Sequence, residues 1–252
     1  MKPILKSSPS RSRQVAERAP LLAFGAHPDD IEFGCGGVVA RETQAGHAAH
    51  FVIGSCGEAA TNGTPAERRR EAEESARLLG ATLEFTELGG DAHLEVKLPH
   101  TLLLAALIRR IRPRTILAPT ISPNQHPDHV ALGQMVRDAA RLARYGGVAE
   151  LKSAPAHAIE QLLFYAVTVE SEPAGVTPLL YDVSAAAVMQ AWKSAMEAHA
   201  SQLRTRNYVD LQMARARVAG LRAGVEHAMA LFPSDALVVD SLASLSRSAR
   251  QF

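Results

Sequence analysis

The sequence predicts an α/β protein of the Rossmann-like, three-layer kind: a mostly parallel sheet between helices, closed by C-terminal helices. Three observations predict it. Short apolar runs recur at about 21–26, 50–54, 82–86, 115–119 and 161–168, and helical stretches separate them, as in parallel strands joined by crossovers. The chain has 252 residues, 47% of them hydrophobic, with mixed charges, enough to bury one sizeable core. Two histidine–aspartate tetrapeptides come soon after two of the runs, where open parallel sheets form their ligand sites.

In order along the chain, residues 1–18 interleave Lys2, Lys6, Arg11 and Arg13 with serines and lack the uninterrupted apolar core of a secretory signal. They are expected to form a flexible extension, with 19–252 as one domain and the cytoplasm as the default location. The run from Leu21 to Ala26 reads as a buried strand. Gly34, Gly36 and Gly37 come too late for a dinucleotide-binding turn, whose place His27-Pro28-Asp29-Asp30 occupies, so close helix packing is their expected job. Thr64-Pro65-Ala66-Glu67 reads as a capping box with proline at the first helical position, and Gly80 supplies the stop. Further helices are expected over Leu98–Arg112, about 129–144, about 185–204 and about 208–231, the last two after a strand at 179–183.

Charge and composition exclude several classes. A formal net charge of +1 gives no basis for a nucleic-acid or anionic-membrane partner, and no apolar stretch is long enough to cross a bilayer. Cys35 and Cys56 are too few for a disulfide framework and read as small buried hydrophobes. Gly54-Ser55-Cys56-Gly57 lacks the spacing of a nucleophile elbow, which leaves activated water as the supported chemistry. Isolated histidines (His47, His50, His93, His100, His157, His227) read as packing or surface residues.

The two tetrapeptides, His27-Pro28-Asp29-Asp30 and His126-Pro127-Asp128-His129, carry the functional argument. A hydrolytic metal centre needs three neutral or anionic ligands and a spare carboxylate. His27 and Asp30 stand three apart, so one helical turn puts them on the same side and leaves Asp29 over. The same spacing relates His126 and His129, and spacing alone does not decide which of them is the third ligand. Arg68, among the charges of Glu67–Glu71, borders the presumed site because its helix follows the second strand.

These residues resemble the signature of the PIG-L/LmbE-type zinc deacetylases, which remove the acetyl group from N-acetylglucosaminyl compounds. The resemblance covers about residues 20–230 and includes Ala26–Glu32, Arg68-x-x-Glu71, Leu79-Gly80, Leu88-Gly89-Gly90-Asp91 and Ser201-Gln202. The run is most similar to the cytoplasmic deacetylases of bacillithiol synthesis, which act on N-acetylglucosamine linked to malate. Asn124 and His199 depart from that pattern, at places where those enzymes often have an acidic residue and some have tyrosine.

The resemblance implies that His27, Asp30 and His129 hold Zn2+, which Fe2+ could replace in the cell. It implies that Asp29 is the general base, that His126 is the acid or oxyanion partner with Asp128 behind it, and that Arg68 and Asp91 hold the sugar or its aglycone. Asp128 is then expected to raise the pKa of His126. A homo-oligomer working on a small amino-sugar substrate is the implied assembly. Two alternatives stand beside this reading: an amidase for another N-acylated metabolite, and a metal-holding module without turnover.

Overall fold

A computed structural model describes residues 19–123, 126–245 and 247–250. The expected extension at 1–18 and the departure at Asn124 lie outside the described residues. The apolar runs form strands β1 (Leu21–Gly25), β2 (Ala49–Ile53), β3 (Ala81–Phe85), β4 (Thr115–Pro119), β5 (Gln161–Tyr165) and β6 (Leu179–Asp182). With β7 (Ala228–Pro233) they make a seven-stranded sheet of order β3-β2-β1-β4-β5-β7-β6. From β3 to β5 all neighbours are parallel, whereas β7 runs antiparallel to β5 and to β6. The fold is thus α/β with a mostly parallel sheet, as the alternating pattern predicts.

The helices are α1 (Asp30–Gln44), α2 (Pro65–Leu78), α3 (Leu98–Ile111), α4 (Pro127–Arg144), α5 (Ala186–Glu197) and α6 (Tyr208–Ala223). Successive strand side chains point to opposite faces, so each strand feeds two cores. Leu21, Ala23, Phe51 and Leu117 face Val39, Ala72, Trp192 and Ala216 in one core. Leu22, Phe24, Val52 and Ile116 face Leu104, Ile108, Leu132 and Val136 in the other. Strands buried on both faces explain why the runs read as continuously apolar rather than alternating.

Close packing is what the α1 glycines do. A Cβ on Gly34 would lie 2.1 Å from the Tyr165 ring, and one on Gly36 would lie 2.7 Å from Trp192. With no side chain there, α1 presses onto β5 and α5, and the Trp192 indole donates to the Glu32 carbonyl at 2.7 Å. Thr64 caps α2 as expected, its hydroxyl accepting the Glu67 N–H while Glu67 reaches back to the Thr64 N–H.

Three expected boundaries fail towards the C-terminus. The helix expected over 208–231 stops at Ala223, because Gly224 turns left-handed at φ 66° and frees the chain for β7. The helix expected over 185–204 stops at Glu197, and a bonded loop through His199, Ser201 and Gln202 follows. The run expected to reach 168 as strand ends at Tyr165. Cys35 is buried as expected, but Cys56 is half-buried, with Arg69 Nη2 donating to its sulfur at 3.2 Å.

Candidate active site

β1 lies between β2 and β4 in the sheet, with Leu21 in register with both Ala49 and Thr115. Strand order reverses there, and the loops after β1 and β4 open onto one crevice. The two tetrapeptides therefore meet, although His27 and His129 are 102 positions apart.

Asp30 begins α1, and its Oδ2 accepts the backbone N–H groups of Ala26 and His27, both at 2.8 Å. Its Oδ1 lies 2.9 Å from His129 Nε2, and its carboxylate comes within 3.5 Å of His27 Nδ1. His27 Nδ1 and His129 Nε2 stand 3.2 Å apart. A tetrahedral ion about 2.0–2.1 Å from each ligand would separate neighbouring ligand atoms by about 3.4 Å. His27, Asp30 and His129 thus converge with the spacing and the donor types that suit a divalent cation. His126 also offers a ring nitrogen within 4.8 Å of those of His27 and His129, so these three histidines form a second possible donor group.

The other nitrogen of His27 is held from behind. Its Nε2 lies 3.0 Å from Asp128 Oδ2 and 3.0 Å from Asp91 Oδ1. Donating that N–H leaves Nδ1 with its lone pair facing His129 and Asp30, the arrangement in which an outer carboxylate orients a ligating imidazole. Burial disfavours a charged His27, yet Asp30, Asp128 and Asp91 together lift its pKa to about 12, so the ring holds a proton on Nδ1 as well until a bound cation displaces it. Burial also opposes ionisation of Asp30, but the His129 and His27 imidazoles outweigh it and hold the carboxyl well below the usual range.

Asp128 is therefore not where the sequence reading put it. Its carboxylate goes to His27 and to the Ala92 N–H at 2.7 Å, not to the His126 ring. What His126 receives is the Asp128 backbone N–H, donated to Nδ1 at 3.3 Å. The neutral ring then carries its proton on Nε2. Burial and the facing His27 and His129 depress the His126 pKa, with Asp128 and Asp30 opposing, the reverse of the expected direction. The backing carboxylate can be tested directly. Asp128→Asn is expected to weaken metal retention by about 10–100-fold, measured by competition against a chromogenic chelator.

Asp29 is the carboxylate that stays outside the donor set. It precedes α1 in a left-handed conformation, φ 107°, uncommon for a non-glycine residue, and faces the cavity. Burial pushes its pKa up to about 6 against the pull of the Arg68 guanidinium. Arg68, expected to hold the sugar, is almost fully buried and grips this segment instead. Its Nη2 donates to the Pro28 carbonyl at 2.7 Å and to Asp29 Oδ2 at 3.3 Å. Gly57 makes room for it: a Cβ there would sit 1.8 Å from Arg68 Nη1. Asp91, expected on the sugar as well, lines the cavity but commits one oxygen to His27 and the other to the Ala59 N–H at 3.1 Å.

Several residues named in the sequence have partners there that the sequence does not show. Glu71 accepts the Ser201 N–H at 2.8 Å and the Ser201 hydroxyl at 2.6 Å, while Gln202 donates to the Asn62 carbonyl at 2.8 Å, tying the loop after α5 onto the loop before α2. His199 is wholly buried, 3.4 Å from Glu32 Oε1, and does not line the cavity. The pairing Arg68-x-x-Glu71 was visible, but nothing in the sequence tells that Glu71 meets a loop 130 residues later.

Fold and centre together define an α/β protein with a crevice at the strand-order reversal, lined by histidines and carboxylates that could hold a cation. The family described as PIG-L: GlcNAc-PI de-N-acetylase matches residues 22–140. Over 131 residues the chain is 30% identical to the uncharacterized deacetylase YaiS of Escherichia coli (strain K12), covering 50% of this chain and 70% of that protein. The conserved protein TT1542 from Thermus thermophilus superposes with a TM-score of 0.78 at 30% identity, covering 88% of this chain and 97% of that one. A 28% identity over 138 residues, 50% of this chain and 53% of the relative, links it to 4-oxalmesaconate hydratase of Pseudomonas putida. The chain belongs to the PIG-L family, and deacetylase-type hydrolysis is the activity class that the family supports. Among the described residues no helix is long and apolar enough to cross a membrane.

Proposed function

We propose that the protein is a metal-dependent N-deacetylase that hydrolyses the acetamide of an N-acetylglucosaminyl compound, with N-acetylglucosaminyl-malate of bacillithiol synthesis as its natural substrate. The observation that carries this reading is Asp29, a carboxylate held beside the donor set by Arg68 and left out of it. A site that only stored metal would have no use for it. His27, Asp30 and His129 would hold the ion, zinc or iron(II). When bound, it supplies a Lewis acid for the acetamide carbonyl and makes water a competent nucleophile near neutral pH.

The chain's own groups do the rest. Asp29 takes the proton of the attacking water and later returns it to the departing amine. His126, with Nδ1 occupied by the Asp128 N–H, points a neutral Nε2–H donor at the oxygen that gains charge. Asp128 and Asp91 keep His27 in the tautomer that offers Nδ1. Arg68 keeps Asp29 in place and ionised.

A pH prediction follows from that last role. Asp29 must be ionised to accept a proton, so activity falls as pH drops through its pKa. Arg68 favours the ionised form, and removing it raises that pKa. The acid limb of Arg68→Met is therefore expected to move to higher pH, with a lowered kcat, in a pH–rate profile beside wild type. An unmoved limb with only a raised KM would return Arg68 to simple substrate binding.

Acetate release from a panel of N-acetylglucosaminides, with and without a malate aglycone, by protein loaded with zinc or iron(II) tests the proposal. Release from other N-acyl metabolites alone would favour the wider amidase reading. The hydratase similarity supports a second reading, addition of water to an unsaturated tricarboxylate, which consumes alkene absorbance and frees no acetate. The same proposal takes the chain to work in the cytoplasm as a homo-oligomer, the assembly being measured by sedimentation.

A further inference from the structure

The cavity over the centre measures about 480 Å3, within the range of small-molecule sites, about 300–1,000 Å3, and suited to a sugar with a substituent. Its inner end mixes the carboxylates of Asp29, Asp30 and Asp91 with His27, His126, His129 and Arg68. The outer wall comes from residues the proposed chemistry does not use, among them Gln202, Arg206 and Tyr208.

The arginines around this wall differ in how they are committed. Arg204 pairs with Glu67 at 2.9 Å. Arg215 pairs with Glu172 at 2.7 Å and donates to the Ala166 carbonyl at 2.8 Å. Arg68 is taken up by Asp29 and Pro28. Arg206 alone of these has no ion-pair partner among the described residues; its guanidinium lies over the Tyr208 ring, 5.5 Å from the centroid. Glu170, exposed on the same rim, has its pKa lowered by its own backbone N–H and the Thr168 hydroxyl, with smaller contributions from the Arg206 and Arg215 charges.

The flanking structure holds this cation at the mouth. Asn207 caps α6, accepting the Asp210 N–H at 3.0 Å and donating to the Asp210 carboxylate at 2.7 Å, which fixes the chain between Arg206 and Tyr208. The amino end of α6 adds positive potential beside it. A guanidinium resting on an aromatic face is partly oriented before a ligand arrives, so less freedom is lost on binding. An anionic group on a ligand would be attracted here.

We propose that Arg206 reads an anionic group, a carboxylate or phosphate, on the aglycone, with the sugar's acetamide directed inward. This rests on the deacetylase reading for its orientation of the substrate, and it makes Arg206 the residue that sets specificity for a charged over a neutral aglycone.

Binding to metal-loaded protein tests it without requiring turnover. Three glucosaminides are titrated by calorimetry: one with a carboxylate on the aglycone, its methyl ester, and one with a phosphate. Wild type is expected to bind at least one anionic ligand about ten-fold tighter than the ester, as a charge-assisted hydrogen bond supplies. The ratio should shrink towards one in Arg206→Gln, recover in part in Arg206→Lys, and fall with added salt. Which anion shows the larger ratio identifies the group. Binding of both anions no tighter than the ester by wild type, or an undiminished ratio in Arg206→Gln, overturns the proposal. Acetate release from the N-acetylated counterparts is scored separately, so failure of the deacetylase reading is distinguishable from failure of the anion subsite.

Discussion

Asp29→Asn is expected to keep its fold and its metal and to lose about two to four orders of magnitude in turnover, the usual worth of a positioned base. Asparagine suits the test because it tolerates the left-handed region better than most side chains, so φ 107° at this position survives the change. It also still accepts the Arg68 hydrogen bond, 3.3 Å long with the native aspartate. What disappears is the capacity to take a proton from water. Metal content by elemental analysis and kcat on the same preparation separate the two effects. A variant with full metal and near-wild-type kcat would remove Asp29 from the mechanism.

His129→Ala is expected to leave the protein folded and its metal content near zero after dialysis. Only His27 and Asp30 would remain of the converging set, and a two-ligand site does not complete the three protein ligands of a catalytic zinc centre. His129 lies in the first turn of α4, where Pro127 and the His126 carbonyl already set the backbone, with His129 N–H donating at 3.0 Å. Loss of the imidazole therefore subtracts a ligand without removing the helix start. Circular dichroism checks the fold, and retention of a full equivalent of metal would shift the third-ligand role to His126.

Much of the sheet was legible because strands buried on both faces must be apolar throughout, as β1 and β4 are. The missed strand, β7, is Ala-Met-Ala-Leu-Phe-Pro. Its alanines, methionine and leucine are good helix formers, and it follows closely on the turn that ends α6, so local preference ran the helix onward. Only its pairing with β5 and β6 makes it a strand.

The centre was legible to a different depth. His27 and Asp30 share one helical start, which spacing along the chain reveals. The partners of Asp128 and Asp91 are set by tertiary approach: the loop after β3 brings Asp91 and Ala92 to the site, where Ala92 meets a residue 36 positions further on. The resemblance implied His126 as the partner of Asp128, and the first turn of α4 sends the carboxylate to His27 instead. Arg68, which the resemblance implied as a substrate contact, does line the cavity, but its burial and its hold on Pro28 are invisible without the fold.

The strand-order reversal at β1 and β4 separates two inheritances. Whatever grips the ion is rooted in the middle of the sheet, where any shift would disturb both cores. The stretches that frame the entrance, 59–61, 167–170 and 202–212, are loops and helix ends with far fewer obligations. Such a layout lets a lineage exchange its clientele while its engine stays fixed, and one scaffold can thus host relatives with different names and different customers.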